Sequence, residues 1–431
     1  MRRHYQVPAR LWPALLEGFA REPGCCLFDV PGPTHRPAET RILTALPGFR
    51  EHHPAAGEGL PVLTPRALRP PGEQAESRRD WLPIKLGYLH YGNGEPAPAL
   101  TVAEYDWALV RCETTDSVSL LFHRDCPRSR RDHVLKRLEQ AEHGDAVGVQ
   151  ADPFRIVSPF RACQSREEYL ERIERIQAYI NAGDVYQVNY AQQFEARFRG
   201  HPARAFRALH AASPSPCSVY LDTGESRILS LSPERFLSVV GGVVETRPIK
   251  GTRPRGSTPA EDERLSDELR HSRKDRAENL MIVDLLRNDL GKCCEIGSIR
   301  AEPLFALETF ANVHHLVSTV TGRLAPGLSP IDLLLSAFPG GSVTGAPKVR
   351  AMQIIRELEP VPRGAYCGSF FHWTPRNGFD STIAIRTLEC RGERIECKAG
   401  GGIVADSEPQ AEYRESVNKV RLFMDVLEGL G

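Results

Sequence analysis

No stretch of this chain approaches the roughly 18 apolar residues that a membrane-spanning helix needs, and the opening Met1-Arg2-Arg3-His4-Tyr5-Gln6 lacks the apolar core of a secretory signal. A cytoplasmic protein is expected. Net charge is missing too, because 55 lysines and arginines balance 55 aspartates and glutamates. No global field favours nucleic acid or an anionic membrane, which leaves a small ligand or another protein as the expected partner. The eleven cysteines lack metal-site spacing: none stands in a CxxC pair, and Cys25-Cys26 and Cys293-Cys294 are adjacent. Neither a zinc ribbon nor a disulfide framework fits, so reduced thiols are expected. Internal repeats are absent, and the one biased tract is the Pro-rich stretch 53–83 with Pro61, Pro65, Pro70 and Pro71, which reads as a long loop.

What is present is ordinary for a globular protein: 431 residues, 41% hydrophobic and 26% charged, enough for a sizeable core. A β-rich N-terminal region spans 1–150, interrupted by the Pro-rich loop, with candidate strands at 86–92 and 106–110. Clearer elements begin near residue 160. Ser165 and Glu168 form a capping box ahead of Tyr169, Ile173, Ile176 and Ile180 at helical spacing, and Gly183 closes that helix. A strand follows, with Tyr186, Val188, Tyr190, Phe194 and Phe198 on one face and Gln187, Asn189, Gln193, Glu195 and Arg197 on the other. Hairpins and helices then mix without a βαβ rhythm, which argues for an α+β fold over a doubly wound parallel sheet.

The helix predicted at 275–290 carries Leu280, Met281, Ile282, Val283, Leu285, Leu286 and Leu290 around most of its circumference, the pattern of a largely buried helix. It also carries Glu278, Asp284, Arg287 and Asp289, and buried charges must be paired, protonated or metal-bound. Asp284 and Arg287 can pair at i,i+3, whereas Glu278 has no such neighbour. Near the C-terminus Ser407 and Gln410 read as a second capping box with Pro409 in the first turn, and Tyr413, Val417, Val420, Met424 and Leu427 form the apolar stripe. Glu412, Glu415 and Lys419 fall together off that stripe, ordinarily a solvated salt-bridge face. A hard cation such as Mg²⁺, held by one or two carboxylates plus ligand oxygens, also suits so sparse a pair, and Glu278 with Glu415 is the candidate.

Pro248-Ile249-Lys250-Gly251-Thr252-Arg253-Pro254 sets a lysine between points of backbone punctuation. Upstream, 235–240 and 243–247 are β-prone runs separated by Gly241-Gly242, a two-residue hairpin that pairs Val240 with Val243. Extending that ladder brings Glu234 level with Ile249 and Pro233 level with Lys250. Strict pleating puts the acid and the amine on opposite faces unless a bulge or strand end near Pro233 intervenes. By residue type alone Lys250 is a surface lysine; in this setting it is also a candidate nucleophile. Pro339-Gly340-Gly341-Ser342-Val343-Thr344-Gly345-Ala346-Pro347-Lys348 has P-loop glycine spacing, but Ala346-Pro347 stands where Lys-Ser/Thr belongs, so it is no nucleotide site. Its amides, with a helix beginning near Pro347, still suit an anion. Ala399-Gly400-Gly401-Gly402-Ile403, after a strand at 395–398, allows close approach of a planar acid, and Arg386, on a strand predicted at 382–388, is suited to complete a carboxylate clamp.

These segments share one resemblance. Ser232-Pro233-Glu234-Arg235-Phe236, the lysine segment extended to Arg255-Gly256, and Lys274-Asp275-Arg276-Ala277-Glu278-Asn279-Leu280 running on to Leu285 strongly resemble the chorismate-utilising enzymes. Val313-His314-His315-Leu316-Val317-Ser318, Gly345-Ala346-Pro347-Lys348-Val349-Arg350 and Gly400-Gly401-Gly402-Ile403-Val404-Ala405-Asp406-Ser407 continue the likeness in the same order, over about residues 160–425. Before residue 150 it is thin.

The resemblance implies an α+β fold of two large, mainly antiparallel sheets packed orthogonally with helices outside, and a site in the cleft between them. Lys250 makes the chain most similar to the aminodeoxychorismate branch, since the anthranilate branch carries alanine in its equivalent Pro-Ile-Ala-Gly-Thr. That likeness implies conversion of chorismate and ammonia to 4-amino-4-deoxychorismate, on the way to 4-aminobenzoate and folate, with Lys250 attacking C2 as the 4-hydroxyl leaves. By the same likeness Glu234 is the general acid, Glu278 and Glu415 are Mg²⁺ ligands with Glu412 beside them, and Gly251, Thr252, Tyr366, Arg386, Gly400, Gly401, Gly402 and Lys419 bind substrate. His315 matches an active-site histidine of the family, with a core histidine as its ordinary reading. Gln187 stands where the water-adding relatives have a lysine base, which favours ammonia as the nucleophile. No Cys-His-Glu glutaminase triad and no product-cleaving lyase domain is recognisable, so a separate glutamine amidotransferase in a heterodimer is the expected source of ammonia. Many relatives hold tryptophan through a Leu-x-Ser-type segment; Cys25-Cys26-Leu27-Phe28-Asp29-Val30 lacks that serine, which argues against tryptophan binding. An anthranilate-forming enzyme and a non-catalytic chorismate-binding scaffold remain as other readings.

Overall fold

The structure, a computed structural model, describes residues 4–30, 40–53, 82–91, 99–143, 153–310, 313–375 and 378–430. Nearly all of the Pro-rich stretch expected as a loop lies outside the described residues. Strand alternation sets the layers. In Cys26–Val30, Leu27 enters one hydrophobic cluster while Cys26, Phe28 and Val30 enter another, so the strand is buried on both faces and needs a layer on each side.

Among the described residues one sheet has twelve strands, with Cys26–Val30, Cys217–Asp222, Arg227–Ser232, Thr387–Arg391, Arg394–Ile403 and Gln187–Arg199 side by side. A nine-stranded sheet sets Val243–Thr246, Arg235–Val240, Gly378–Ile383, Ser369–Thr374 and Ile84–His90 in order. The pairings along both are antiparallel. Phe28, Ile42, Val219 and Ile228 of the first sheet meet Ile84, Leu86, Tyr105 and Phe370 of the second in one cluster, which stacks the sheets face to face. Helices Trp12–Phe19, Pro202–Ala212 and Pro409–Glu428 contribute Leu15, Phe206 and Phe423 to the cluster on the far side of the first sheet. Arg273–Gly291 and Pro330–Ala337 cover the second with Ile282, Leu286 and Leu334. Each fully buried Leu, Ile or Phe contributes about 1.5–3 kcal/mol, so this layering supplies most of the driving force. The α+β architecture is therefore as expected. Cys26–Val30 pairs with Cys217–Asp222 and Ile84–His90 with Ser369–Thr374, so chain from before residue 150 and after residue 160 shares both sheets.

Local signals fare well where they are self-contained. Ser165 and Glu168 form both halves of the capping box, and Gly183 takes φ 84° just past the end of Arg166–Asn181. Two helices differ from expectation. In Arg273–Gly291 only one face is buried: Ile282, Val283, Leu286 and Leu290 pack inward, while Leu280 is 44% exposed. Asp284 and Arg287 do pair, at 3.0 Å, but on the surface. The buried charge is Asp289, 1% exposed, which accepts from Lys292 at 3.0 Å and Lys348 at 2.5 Å. The C-terminal helix is capped by Glu408, whose carboxylate accepts from the amides of Gln410 and Ala411 at 3.1 and 2.7 Å. Pro409, suited to the first helical position, fixes the boundary there, and Ser407 instead donates to Glu412 at 2.8 Å.

Lys348 therefore serves the core, donating also to the Ala337 carbonyl at 2.9 Å. Breaking a buried ion pair by removing one partner costs about 3–5 kcal/mol. With the half-exposed Lys292 still in place, Lys348→Met is expected to lower the unfolding free energy by about 3 kcal/mol in urea titrations; a loss below about 0.5 kcal/mol would contradict the pairing.

Candidate active site

The Gly241-Gly242 hairpin forms in the expected register, Val240 opposite Val243 and Ser238 opposite Glu245. Its ladder stops at Thr246 instead of running on to Lys250, and the chain leaves for a separate three-stranded sheet in which Ile249–Pro254 pairs with Val313–Val317. Pro248 accounts for the exit, having no N–H to give the ladder. Ile249–Pro254 is an edge strand, where Pro254 is tolerated. Its register slips between Lys250 and Thr252, at Gly251 with φ 78°, and a bulge of this kind re-aims its neighbours. A Cβ on Gly251 would lie 2.7 Å from Leu269 Cδ1 and 2.9 Å from Asp275 Cγ, so both conformation and space require glycine. Lys250 is thus half-buried on a cleft wall and not free on the surface.

Glu234 arrives from elsewhere. Pro233 and Glu234 form the step from Arg227–Ser232 in the large sheet to Arg235–Val240 in the nine-stranded one. That is the strand end which convergence with Lys250 requires. Ser232 Oγ accepts from the Glu234 amide at 3.2 Å, and Ser342 Oγ donates to Glu234 Oε1 at 2.9 Å. Burial raises the Glu234 pKa, partly offset by the Lys250 ammonium and the Ser342 hydrogen bond. The carboxyl keeps its proton to higher pH than a free glutamate, as a proton donor requires.

Between them runs a cleft of about 1800 Å³ open to solvent, lined by Glu234, Lys250, Gly251 and Thr252 on these two walls. Gly400, Gly401 and Gly402 form another wall, inside the strand Arg394–Ile403 and not beyond its end. This strand lies against Gln187–Arg199, Asn189 opposite Gly402 and Ala191 opposite Gly400. A Cβ on Gly400 would sit 1.9 Å from the Tyr190 oxygen, and one on Gly402 2.0 Å from Gln187 Nε2. Gly401 differs: its Cβ would look toward Glu412 Oε2 at 3.1 Å and Lys419 Nζ at 3.8 Å. Lys419 pairs with Glu415 at 2.7 Å and donates to the Gly400 carbonyl at 2.8 Å.

Glu278, Glu412, Glu415 and Lys419 line the same cleft from two helices. Burial raises the pKa of Glu278, and the Asp275 and Glu415 charges raise it further against Lys250 and Lys274. Glu412 is likewise raised by burial, with Glu415 adding to it. Carboxylates repelling one another across a cleft mark a place for a cation. Among the described residues no three or more His, Cys, Asp or Glu side chains form a closed metal cage. Glu278 and Glu415 fit Mg²⁺ in its sparse mode, one or two carboxylates with the other oxygens from ligand and water.

Arg386 also lines the cleft, as does Tyr366. Arg386 is not on a strand but in the break between Gly378–Ile383 and Thr387–Arg391, with φ 50°. Among the described residues no carboxylate pairs with it, which leaves its fork free for a ligand carboxylate. Gln187 and His315 are not among the lining side chains. Gln187 is 1% exposed behind Gly402, its Oε1 without a partner among the described residues. His315 stands opposite Thr252 in the strand pair, its Nδ1 2.9 Å from the Thr252 hydroxyl, and burial lowers its pKa. Sequence reasoning missed Asn189, Lys274 and Ser342 on the walls. Ser342 had a signal, lying inside the glycine-rich segment, and Lys274 another, at the head of the motif that holds Glu278; Asn189 offers only its polarity.

Family comparison bears directly on this constellation. The model of the family described as chorismate binding enzyme matches residues 74–425. The chain belongs to this family. The match begins well before the motifs that carry the resemblance. Among chorismate binding enzymes the chain is similar to aminodeoxychorismate synthase component 1 of Klebsiella aerogenes, 50% identical over 331 residues that make up 77% of this chain and 71% of that protein. It is also similar to anthranilate synthase component 1 of Aquifex aeolicus (strain VF5), 44% identical over 269 residues, 62% of this chain and 54% of that one. The crystal structure of anthranilate synthase component I from Streptococcus pneumoniae TIGR4 superposes with a TM-score of 0.75 at 28% identity, covering 90% of this chain and 93% of its own.

The glycine wall predicts a separation of fold from binding. Gly400→Ala is expected to cost several kcal/mol, about 3 or more, through overlap with the Tyr190 carbonyl. Gly401→Ala is expected to keep the melting temperature within about 2 °C while weakening chorismate binding about tenfold, ~1.4 kcal/mol by calorimetry. The reverse pattern would refute this division of labour.

Proposed function

We propose that this protein aminates chorismate to 4-amino-4-deoxychorismate, as the name of its aminodeoxychorismate synthase relatives suggests. The observation that carries this reading is Lys250, held at a glycine bulge on one wall of the cleft with Glu234 on another. By resemblance the anthranilate branch has alanine at this position, which cannot attack. Lys250 Nζ bonds to C2 of chorismate as the C1=C2 pair moves to C1=C6, the C5=C6 pair moves to C4=C5, and the C4–O bond breaks. Glu234 gives its proton to the departing hydroxyl, which leaves as water. Ammonia then bonds to C4, both ring double bonds shift back to C5=C6 and C1=C2, and the C2–N bond breaks to return Lys250, which takes up the proton that ammonia sheds.

The remaining groups orient and neutralise. Arg386 and Lys419 face the anionic substrate from the cleft walls, and His315 holds the Thr252 hydroxyl at 2.9 Å. Glu278 and Glu415 would hold Mg²⁺, which when bound supplies positive charge to a substrate carboxylate. Gln187 is an amide and cannot serve as the base that activates water, consistent with ammonia as the nucleophile. A separate glutamine amidotransferase subunit is proposed as the ammonia source, in keeping with "component 1" in the relatives' names, and the product would feed 4-aminobenzoate and folate synthesis in the cytoplasm. Among the described residues no helix is long and apolar enough to cross a membrane. The anthranilate reading has a specific point in its favour, the 44% identity to an anthranilate synthase.

Product analysis with chorismate, Mg²⁺ and an ammonium salt separates the two. 4-Amino-4-deoxychorismate is expected; anthranilate with pyruvate would overturn the proposal, and binding without turnover would leave only a scaffold. Lys250→Ala is expected to lower kcat at least about 100-fold and to abolish the mass increase seen when wild-type enzyme is trapped with chorismate; wild-type rates would remove the nucleophile.

Glu234 gives a pH test. Because burial raises its pKa and the protonated form is the active one, turnover is expected to fall as pH rises through that displaced value. Glu234→Gln, which cannot give up a proton, is expected to lose about 10²–10⁴-fold in kcat together with that limb of the profile. A variant that keeps the limb would assign it to another group.

A further inference from the structure

We infer that Arg363, buried beneath the cleft, is a positioning residue for the proposed chemistry: it locks the turn that carries Ser342 and thereby aims the carboxyl of Glu234. The inference rests on the reading of Glu234 as proton donor given above. Arg363 is 2% exposed and makes no contact with the cleft space itself. Its guanidinium nevertheless reaches the backbone of two wall residues, Nη1 donating to the Val343 carbonyl and Nη2 to the Asn189 carbonyl, both at 2.7 Å. The other side of the fork closes on Glu359, Nε to Oε2 at 2.9 Å and Nη2 to Oε1 at 2.7 Å. Glu359 Oε1 in turn accepts from the Ala191 amide at 2.9 Å. One ion pair thus ties the strand Gln187–Arg199 to the short turn Gly341–Val343.

That turn needs tying. Ser342 sits in a single 3-10 turn with glycine at 340, 341 and 345, and its hydroxyl is the hydrogen-bond donor to Glu234. Asn189 Nδ2 also reaches the Ser342 carbonyl, at 3.3 Å, so both residues gripped by Arg363 border the serine. The guanidinium lies 4.8 Å from the Tyr91 ring centroid and 5.9 Å from that of Tyr366, another wall residue. Ion pairing alone is a weak reason to bury an arginine, since well-packed apolar side chains often stabilise as much. Apolar side chains cannot direct planar donors at separated acceptors, and neither can lysine, a point charge on a flexible stem. The geometry calls for arginine because three acceptor groups, two carbonyls and one carboxylate, must be held in fixed relation.

The test uses the intact chain with chorismate, Mg²⁺ and ammonium salt, comparing Arg363→Lys, Ser342→Ala and the double variant by steady-state kinetics. Each single change is expected to lower kcat about tenfold with the KM for chorismate within about twofold, and the double variant to be no worse than the poorer single, because Arg363 acts through Ser342. An unchanged kcat in Arg363→Lys, or losses that multiply in the double variant, would overturn the inference. If Arg363→Lys does not fold, Glu359→Gln, which keeps shape but weakens the fork, replaces it in the same comparison. Failure of wild-type enzyme to form any aminated product would instead remove the reading on which the inference rests, so the two failures are distinct.

Discussion

Charge withdrawn from water has to meet its opposite or be neutralised, and the cleft is organised wall by wall around that requirement. Asp289 is answered by Lys348 and Lys292, and Glu359 by Arg363. These matched pairs hold the scaffold. The charges left less than fully matched are the ones that face the cleft: Glu278 and Glu412 with raised pKa values, and Arg386 without a carboxylate partner among the described residues. A ligand carboxylate would answer Arg386, whereas Glu278 and Glu412 call for positive charge. Stability and binding are thus two parts of one electrostatic arrangement, divided by whether the partner is supplied by the chain.

The cleft takes its walls from the twelve-stranded and three-stranded sheets, from two helices and from the step at Pro233 and Glu234, which is why its parts are far apart in sequence. Glu234 marks the passage of the chain from the large sheet to the nine-stranded one, Lys250 lies in the small sheet, and the glycines belong to the large sheet. Their mutual distances are set by packing between layers, not by any single ladder. Close packing makes such distances reproducible, because interiors filled to crystal-like density do not deform smoothly.

This division explains what the sequence revealed. Features fixed within about ten residues were legible: the Ser165–Glu168 box and the Val240–Val243 pairing. The glycine-rich and lysine segments could be singled out as chemical because their residue types are costly unless used. Long-range facts were not legible. The ladder that was expected to carry Glu234 to Lys250 breaks at Pro248, Arg386 leaves its strand for a left-handed turn, and Leu280 faces solvent because a helix at the edge of a layer buries only one stripe. Gln187 and His315 stand behind the wall residues, a depth that periodicity along a strand cannot express.

The bulge at Gly251 reaches beyond the aim of one side chain. Ile249–Pro254 is an edge strand whose outer row of backbone groups would ordinarily be a template for another chain. Here the slipped register, the proline at its end and the neighbouring Arg253 and Arg255, paired to Glu268 and Asp262, leave no regular row for a foreign strand to join. The irregularity that re-aims Lys250 also guards the protein against its own kind, so that a substitution straightening this strand would threaten solubility as well as the cleft wall.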